Sequence, residues 1–206
     1  MEQAMLEPPV RGRGRPRDAE KDAAIRDAAW EVLADKGYEG LTFEAVAEMT
    51  GCSRATLYRR FASKLELVET ILFETSRAVE PEIASGEPPR DILIAHATAC
   101  AEYMSGSRGR AILSITESAA RLPELDRATL RHMASEQEYY YREFRRLMPG
   151  AGAEALAFTF DTLIGNIIYH VAIRRRALAA SDIALLVDQS IAVLHARCAK
   201  DNVDRP

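Results

Sequence analysis

The sequence predicts an all-α protein in two parts: a small N-terminal three-helix domain containing a helix-turn-helix, and a larger helical domain behind it. Three observations predict this. Apolar residues recur at helical spacing through most of the chain after residue 17, with no alternating run of the kind a half-buried strand needs. The window from Leu41 to Lys64, LTFEAVAEMTGCSRATLYRRFASK, reads as two short helices around a tight turn. Between Glu80 and Pro89 the breakers Pro81, Gly86, Pro88 and Pro89 interrupt the pattern and mark a boundary. With 206 residues and 48% apolar content, the chain is long enough to give each part its own core.

Residues 1–17 are rich in Pro, Gly and Arg, too poor in apolar surface to offset the entropy of ordering, and are expected to form a disordered arm. Arg13, Arg15 and Arg17 around Gly14 and Pro16 resemble an AT-hook, an extended strand for the narrow minor groove of A·T-rich DNA. The plainer role is that of a solvated basic tail attracted to phosphates.

A first helix is predicted over residues 18–36, with Ile25, Ala28, Ala29, Val32 and Leu33 as its buried stripe, Trp30 off that stripe, and Gly37 as its stop. The second opens at Thr42, whose hydroxyl caps the first-turn amides, and turns Phe43, Val46 and Ala47 to one face. Gly51 supplies the left-handed residue that ends it, and Ser53 caps the third helix. There Ala55, Leu57 and Phe61 are expected to pack inward. Arg54, Thr56, Tyr58, Arg59 and Arg60 offer donors on the outer surface. Ser63 to Glu66 forms a capping box that starts a fourth helix, through Leu67, Val68, Ile71 and Leu72, and sets Lys64 beside free helix amides.

These correlated positions resemble the DNA-binding domain of TetR-type (TetR/AcrR) transcriptional regulators. The resemblance runs from about Asp22 to Leu72 and rests on Gly37-Tyr38, Leu41-Thr42, Val46-Ala47, Gly51, Ser53, Thr56-Leu57-Tyr58, Phe61, Ser63-Lys64 and Leu67. Cys52, Ala55 and Arg60 depart from the residues common in that family. The last two lie where family members meet DNA, so operator sequence is not carried over. The expected DNA contacts are Thr42, Ser53, Arg54, Ala55, Thr56, Tyr58, Arg59, Arg60 and Lys64, with Arg13, Arg15 and Arg17 from the arm.

Charge distribution matters more than its sum. The net charge is −4, which alone argues against a polyanionic partner, yet residues 11–17 and 52–64 each contain four basic residues and no acid. The three cysteines, Cys52, Cys100 and Cys198, have neither disulfide-framework nor zinc spacing, so a reduced cytoplasm is the expected compartment. No signal peptide is read at the N-terminus, and no uninterrupted apolar run approaches eighteen residues. His96, His132, His170 and His195 form no metal motif, and no nucleophile elbow, P-loop or dinucleotide fingerprint is present. Neither an enzyme nor a resident cofactor or metal is expected.

The domain plan is therefore an arm at 1–17, a DNA-binding domain at 18–80 with its motif at about 42–61, a helical regulatory and dimerisation domain at 81–199, and a tail at 200–206. In the second domain the predicted stripes are Ile92, Ala95, His96, Ala99 and Tyr103, then Ile112, Ile115 and Ala119, then Leu130, Met133, Gln137, Tyr140, Tyr141, Phe144 and Leu147. A mostly apolar ligand pocket is expected from Tyr103, Met104, Ile115, Phe144, Phe160 and Tyr169, with Phe158 nearby and Glu117 as its polar handle. Two final helices, about 153–177 and 181–199, are apolar on more than one face. The Arg174–Arg176 run is read as charge compensation at the end of the first. Leu163, Ile167, Val171, Leu186, Val187, Ile191 and Leu194 are the expected dimer contacts, the resemblance implying that this pair joins two copies. The expected function is a dimeric repressor on a two-fold related double-stranded DNA operator, released by a small-molecule effector. The alternative is a constitutive or architectural DNA-binding protein without an effector.

Overall fold

A computed structural model describes residues 19–78, 81, 83–84 and 86–203. Among them the structure is all-helical. In order, the helices are α1 (Ala19–Gly40), α2 (Phe43–Thr50), α3 (Arg54–Tyr58), α4 (Lys64–Ala78), α5 (Pro89–Ser105), α6 (Ser107–Ala119), α7 (Pro123–Leu147), α8 (Ala153–Ile168) and α9 (Ala180–Val203). A π-helical turn, Tyr169–Ile173, extends α8. The arm and its Arg13, Arg15 and Arg17 lie outside the described residues.

Local chemistry sets the boundaries of the small helices. Gly37 takes φ 69°, which breaks the regular run of α1 before Tyr38. The Thr42 hydroxyl accepts the Ala45 amide at 3.1 Å, and Gly51, at φ 66°, closes α2. Ser53 accepts the Thr56 amide at 3.2 Å to open α3. Ser63 accepts the Glu66 amide at 3.1 Å while the Glu66 carboxylate accepts the Ala62 amide at 2.5 Å, a reciprocal cap for α4. Each such cap stabilises its helix by roughly 0.5–2 kcal/mol, enough to matter for helices of eight and five residues.

One core gathers Ile25, Ala29, Val32 and Leu33 of α1 with Val46, Leu57, Leu67 and Ile71, and it also takes in Ala111 and Ile115 of α6. Each large aliphatic side chain buried there contributes about 1.5–3 kcal/mol. Helix α6 thus packs along α1 and belongs to the core of the DNA-binding domain, although it follows the Pro-rich boundary in sequence. A second core joins Leu93 and Ala97 of α5, Tyr140 and Phe144 of α7, Leu156, Phe160 and Leu163 of α8 and Val187 and Leu194 of α9. The Arg90 guanidinium clips α5 to α9 with two bonds to Asp188, at 2.6 and 2.9 Å.

Several expectations need correction. Trp30 is buried, edge-on to Tyr103 with ring centroids 6.4 Å apart, because α6 and the end of α5 cover the flank of α1 that a lone three-helix domain would expose. Ala55 is exposed: α3 is so short that Leu57 alone in it fills the core. The buried register of α5 is Leu93, Ala97, Ala101 and Met104 together with Ile92 and His96; Ala95 and Ala99 are only half-buried. On α7 Leu130 and Met133 are exposed, and Leu125, Ala128 and Thr129 face inward instead. The helix expected to reach residue 177 stops at Ile173, so the arginine run follows it, with Arg175 at φ 53°. The expectation that no uninterrupted apolar run approaches eighteen residues is not overturned: Ala153–Ile173 is long and apolar enough by composition to cross a membrane, but Glu154 and Asp161 interrupt it, and it packs against α9.

Candidate nucleic-acid interface and ligand cavity

Helices α2 and α3 bring most of the expected DNA-contacting side chains to one end of the molecule. Thr42, Ser53, Arg54, Ala55, Tyr58 and Arg59 are exposed, and Thr56 is half-buried beside them. Tyr58 leaves 59% of its surface open while its ring packs edge-on against Phe43, centroids 4.8 Å apart. That contact fixes the direction of its hydroxyl. Arg59 donates to the Thr56 hydroxyl at 3.2 Å, which holds its guanidinium along α3.

The basic residues of this window are not equivalent. Arg54 donates to Glu44 of α2 at 2.7 Å. That hydrogen bond lowers the Glu44 carboxyl below its usual range and raises the Arg54 guanidinium. The pair is fully exposed and screened by salt, so Arg54 can exchange its partner for a phosphate or a base edge. Arg60 is different. Its guanidinium pairs with Asp22 of α1, and its side chain is only 20% exposed. It therefore ties the turn after α3 to α1 instead of presenting donors outward. Lys64 donates to the Tyr38 carbonyl at 3.0 Å and stands 4.0 Å over the Tyr38 ring, so it braces the turn after α1. The acidic partners Asp22 and Glu44 lie outside the acid-free stretch 52–64 and reach it only through the fold. Glu44 lies ten residues before Arg54, in the preceding helix.

Behind this domain lies a cavity of about 250 Å³, walled by α4 through Leu72, by α5, α6, α7 and by α8 through Phe160, Ile164 and Ile168. Of the residues expected to line a pocket, Tyr103, Met104, Ile115 and Phe160 do so. Glu117 does not: its side chain is 77% exposed and within 4.0 Å of Arg121. Phe144 is sealed in the second core, and Tyr169 and Phe158 are half-exposed at the surface. The polar wall is instead His96 and Cys100 of α5 with His132, Glu136, Tyr139 and Tyr140 of α7. The signal was present as two i, i+4 pairs, His96/Cys100 and His132/Glu136, on helices that pack together. Burial pushes the Cys100 thiol up to about 12, with the Glu136 charge adding to the effect. Burial likewise raises Tyr140 well above the usual phenol, and lowers His132. No group of three or more metal-ligating side chains converges among the described residues.

The expected dimer residues mostly turn inward. Leu163, Ile167, Val171, Val187 and Leu194 are buried in the second core, and Leu186 and Ile191 are half-buried against it. The most apolar register of each helix is claimed by its own chain. A different face is open: Phe158, Gly165, Tyr169 and Ile173 along α8 and its extension, and Leu185, Ala192 and Ala196 along α9.

Capped short helices, a left-handed turn glycine and an exposed third helix, backed by an all-helical second core, define a helix-turn-helix DNA-binding regulatory protein. Comparison with known proteins gives the family. Residues 25–71 match the family model "Bacterial regulatory proteins, tetR family". The HTH-type transcriptional regulator YdeS of Bacillus subtilis (strain 168) is 32% identical over 100 residues, spanning 48% of this chain and 50% of its own length. The regulator Rv1556 of Mycobacterium tuberculosis (strain ATCC 25618 / H37Rv) is 27% identical over 164 residues, 78% of this chain and 80% of its own. The fold is shared with a TetR-family regulator from Mesorhizobium loti MAFF303099, at TM-score 0.65 and 21% identity, covering 88% of this chain and 98% of that one. Residues 25–71 thus carry the DNA-binding domain of the tetR family of bacterial regulatory proteins, and the helices behind it share the fold of that solved regulator.

Proposed function

We propose that this regulator is a dimeric repressor whose grip on a two-fold related operator is released when a small molecule fills the cavity. The observation that carries the reading is that Leu72 of α4 and Ile115 of α6 each line the cavity and each belong to the core of the DNA-binding domain. A ligand that favours one arrangement of those walls favours one placement of α3. By linkage, DNA then opposes the ligand equally. Thr42, Ser53, Arg54, Ala55, Thr56, Tyr58 and Arg59 form the DNA-contacting face, with Lys64 bracing it, and the arm's Arg13, Arg15 and Arg17 add affinity. The exposed face of α8 and α9 supplies the contact between copies, spacing two recognition helices about one DNA turn apart. The protein acts in the cytoplasm, where its DNA is, and performs no catalysis.

The test is binding of a fluorescent operator, selected from random DNA, by the full chain and by Ile164→Trp, which fills the cavity. A library of small molecules is then screened for release. Release of the unmodified chain but not of Ile164→Trp supports the reading. Compounds that release both equally would move the effector site out of the cavity, and a library that releases neither favours a constitutive DNA-binding protein.

A further inference from the structure

We propose that Arg174, Arg175 and Arg176 form a second DNA-contacting surface, set against the phosphates at the centre of the operator, between its two half-sites. This inference rests on the reading of a dimer on a two-fold related operator. All three side chains are exposed, and among the described residues their guanidinium groups meet no carboxylate. The sequence carries no acid from Thr162 to Ser181. Asp182, the next carboxylate along the chain, already accepts the Ala179 amide at 3.2 Å. In a chain of net charge −4, such an uncompensated cluster makes a local positive field suited to a polyanion.

Charge compensation at the end of α8 does not account for the run. Backbone groups close that end: the Tyr169 carbonyl accepts the Arg174 amide at 2.8 Å, and the His170 carbonyl accepts the Arg176 amide at 2.9 Å. These bonds fold the run into a fixed turn with Arg175 at φ 53°, a left-handed conformation that glycine adopts at less cost. An arginine held there points to a use for its side chain.

The run also stands at the end of α8 nearer the DNA-binding domain. Ile164 and Ile168 line the cavity together with Leu72 and Ile115 of the DNA-binding core, whereas Glu154, at the start of α8, pairs with Arg197 near the end of α9. The arginines begin less than two turns beyond Ile168. Tyr169 and Ile173, on the open face that supplies the contact between copies, immediately precede them. Dimerisation through that face therefore brings both runs beside the two-fold axis, between the recognition helices. Neutralising phosphates there adds affinity without reading sequence.

The test compares the full chain with a variant carrying Arg174→Gln, Arg175→Gln and Arg176→Gln, on an operator selected from random duplexes and titrated with sodium chloride. A second duplex replaces the phosphates at the operator centre with neutral methylphosphonates. The triple variant should stay dimeric by light scattering and keep its half-site preference. It should bind about tenfold or more weakly at about 0.1 M salt, with a salt slope smaller by about 2 or more. Central methylphosphonates should weaken the unmodified chain and change the variant by about twofold or less. Arg175→Gly separates charge from backbone: it should melt no lower than the unmodified chain yet bind the operator more weakly, which a merely structural turn would not produce. An unchanged salt slope in the triple variant, undiminished operator affinity in Arg175→Gly, or equal methylphosphonate losses for both proteins overturns the proposal and leaves the two-fold operator reading standing. If the unmodified chain binds no inverted repeat, that reading and the proposal fall together.

Discussion

The Ser114 hydroxyl, on the helix that walls the cavity, accepts a hydrogen bond at 3.0 Å from the amide of Tyr38, in the turn that leads into α2. Its sequence neighbours Leu113 and Ile115 line the cavity, and the Tyr38 carbonyl accepts from Lys64 at the start of α4. A shift of α6 is therefore felt at both ends of the helix-turn-helix. Ser114→Ala is expected to lower the unfolding free energy by about 1–2 kcal/mol, the cost of leaving a half-buried amide without its acceptor, and to weaken operator binding from a position away from the DNA-contacting face. Urea denaturation and DNA anisotropy read the two effects. Operator affinity equal to that of the unmodified chain would detach α6 from the DNA-binding domain. Gly37→Ala should be worse than the serine variant, since its φ of 69° disfavours any side chain and a Cβ there would lie 2.8 Å from the Ser114 oxygen.

Arg59 and Arg60 are adjacent, yet their replacement should have opposite signatures. Arg59→Ala should cost about 1–3 kcal/mol in specific DNA binding and relax preference at one operator position if that arginine meets a base. Its stability should not change measurably. Arg60→Ala should leave base preference intact and lower stability by on the order of 1 kcal/mol, because it strands Asp22. Sequence selection and thermal melting on both variants separate the roles; an altered preference in Arg60→Ala would return that residue to the DNA face.

The open face of α8 and α9 carries the assembly prediction. Tyr169→Arg or Leu185→Arg should leave a folded chain whose mass by light scattering falls from about twice 22.8 kDa to 22.8 kDa. Leu194→Arg should unfold the chain, since Leu194 has no exposed surface. Dimers that survive both surface charges would place the interface elsewhere.

Two buried groups of the cavity give pH and reactivity signatures. Because burial holds the folded His132 below the ordinary 6.5, the unfolded chain binds the extra proton first as acid is added. This site's contribution is thus fully retained above about pH 6.5 and is lost as pH falls through the depressed folded value. His132→Leu should flatten the acid-side slope of unfolding free energy between pH 7.5 and 5.5; an equal slope would remove the burial effect. The Cys100 thiol, moved from 9.0 to about 12, should alkylate at pH 8 about a thousandfold more slowly than in the denatured chain.

The local devices of the DNA-binding half were legible because they depend on near neighbours. Thr42, Gly51, Ser53 and the Ser63–Glu66 box announce helix ends within four residues, and each stands in the structure where its chemistry demands. What escaped was long-range. Asp22 claims Arg60 from another helix, α6 joins a core it follows by a proline-rich boundary, and Glu136 rather than Glu117 faces the cavity. For α8 and α9, apolar residues on several faces made the core register indistinguishable from the exposed one. Burial within the chain takes the stripe through Leu163 and Leu194 and leaves the neighbouring stripe uncovered.

The central claim is that two copies of α3 read a two-fold related DNA site. Selection of bound sequences from a random duplex library by the full chain tests it most directly. The expected result is an enriched inverted repeat with half-sites about 10 base pairs apart centre to centre, whose recovery is lost with Arg59→Ala. Recovery of no common sequence, or of a single unrepeated element by a chain of 22.8 kDa, would contradict it.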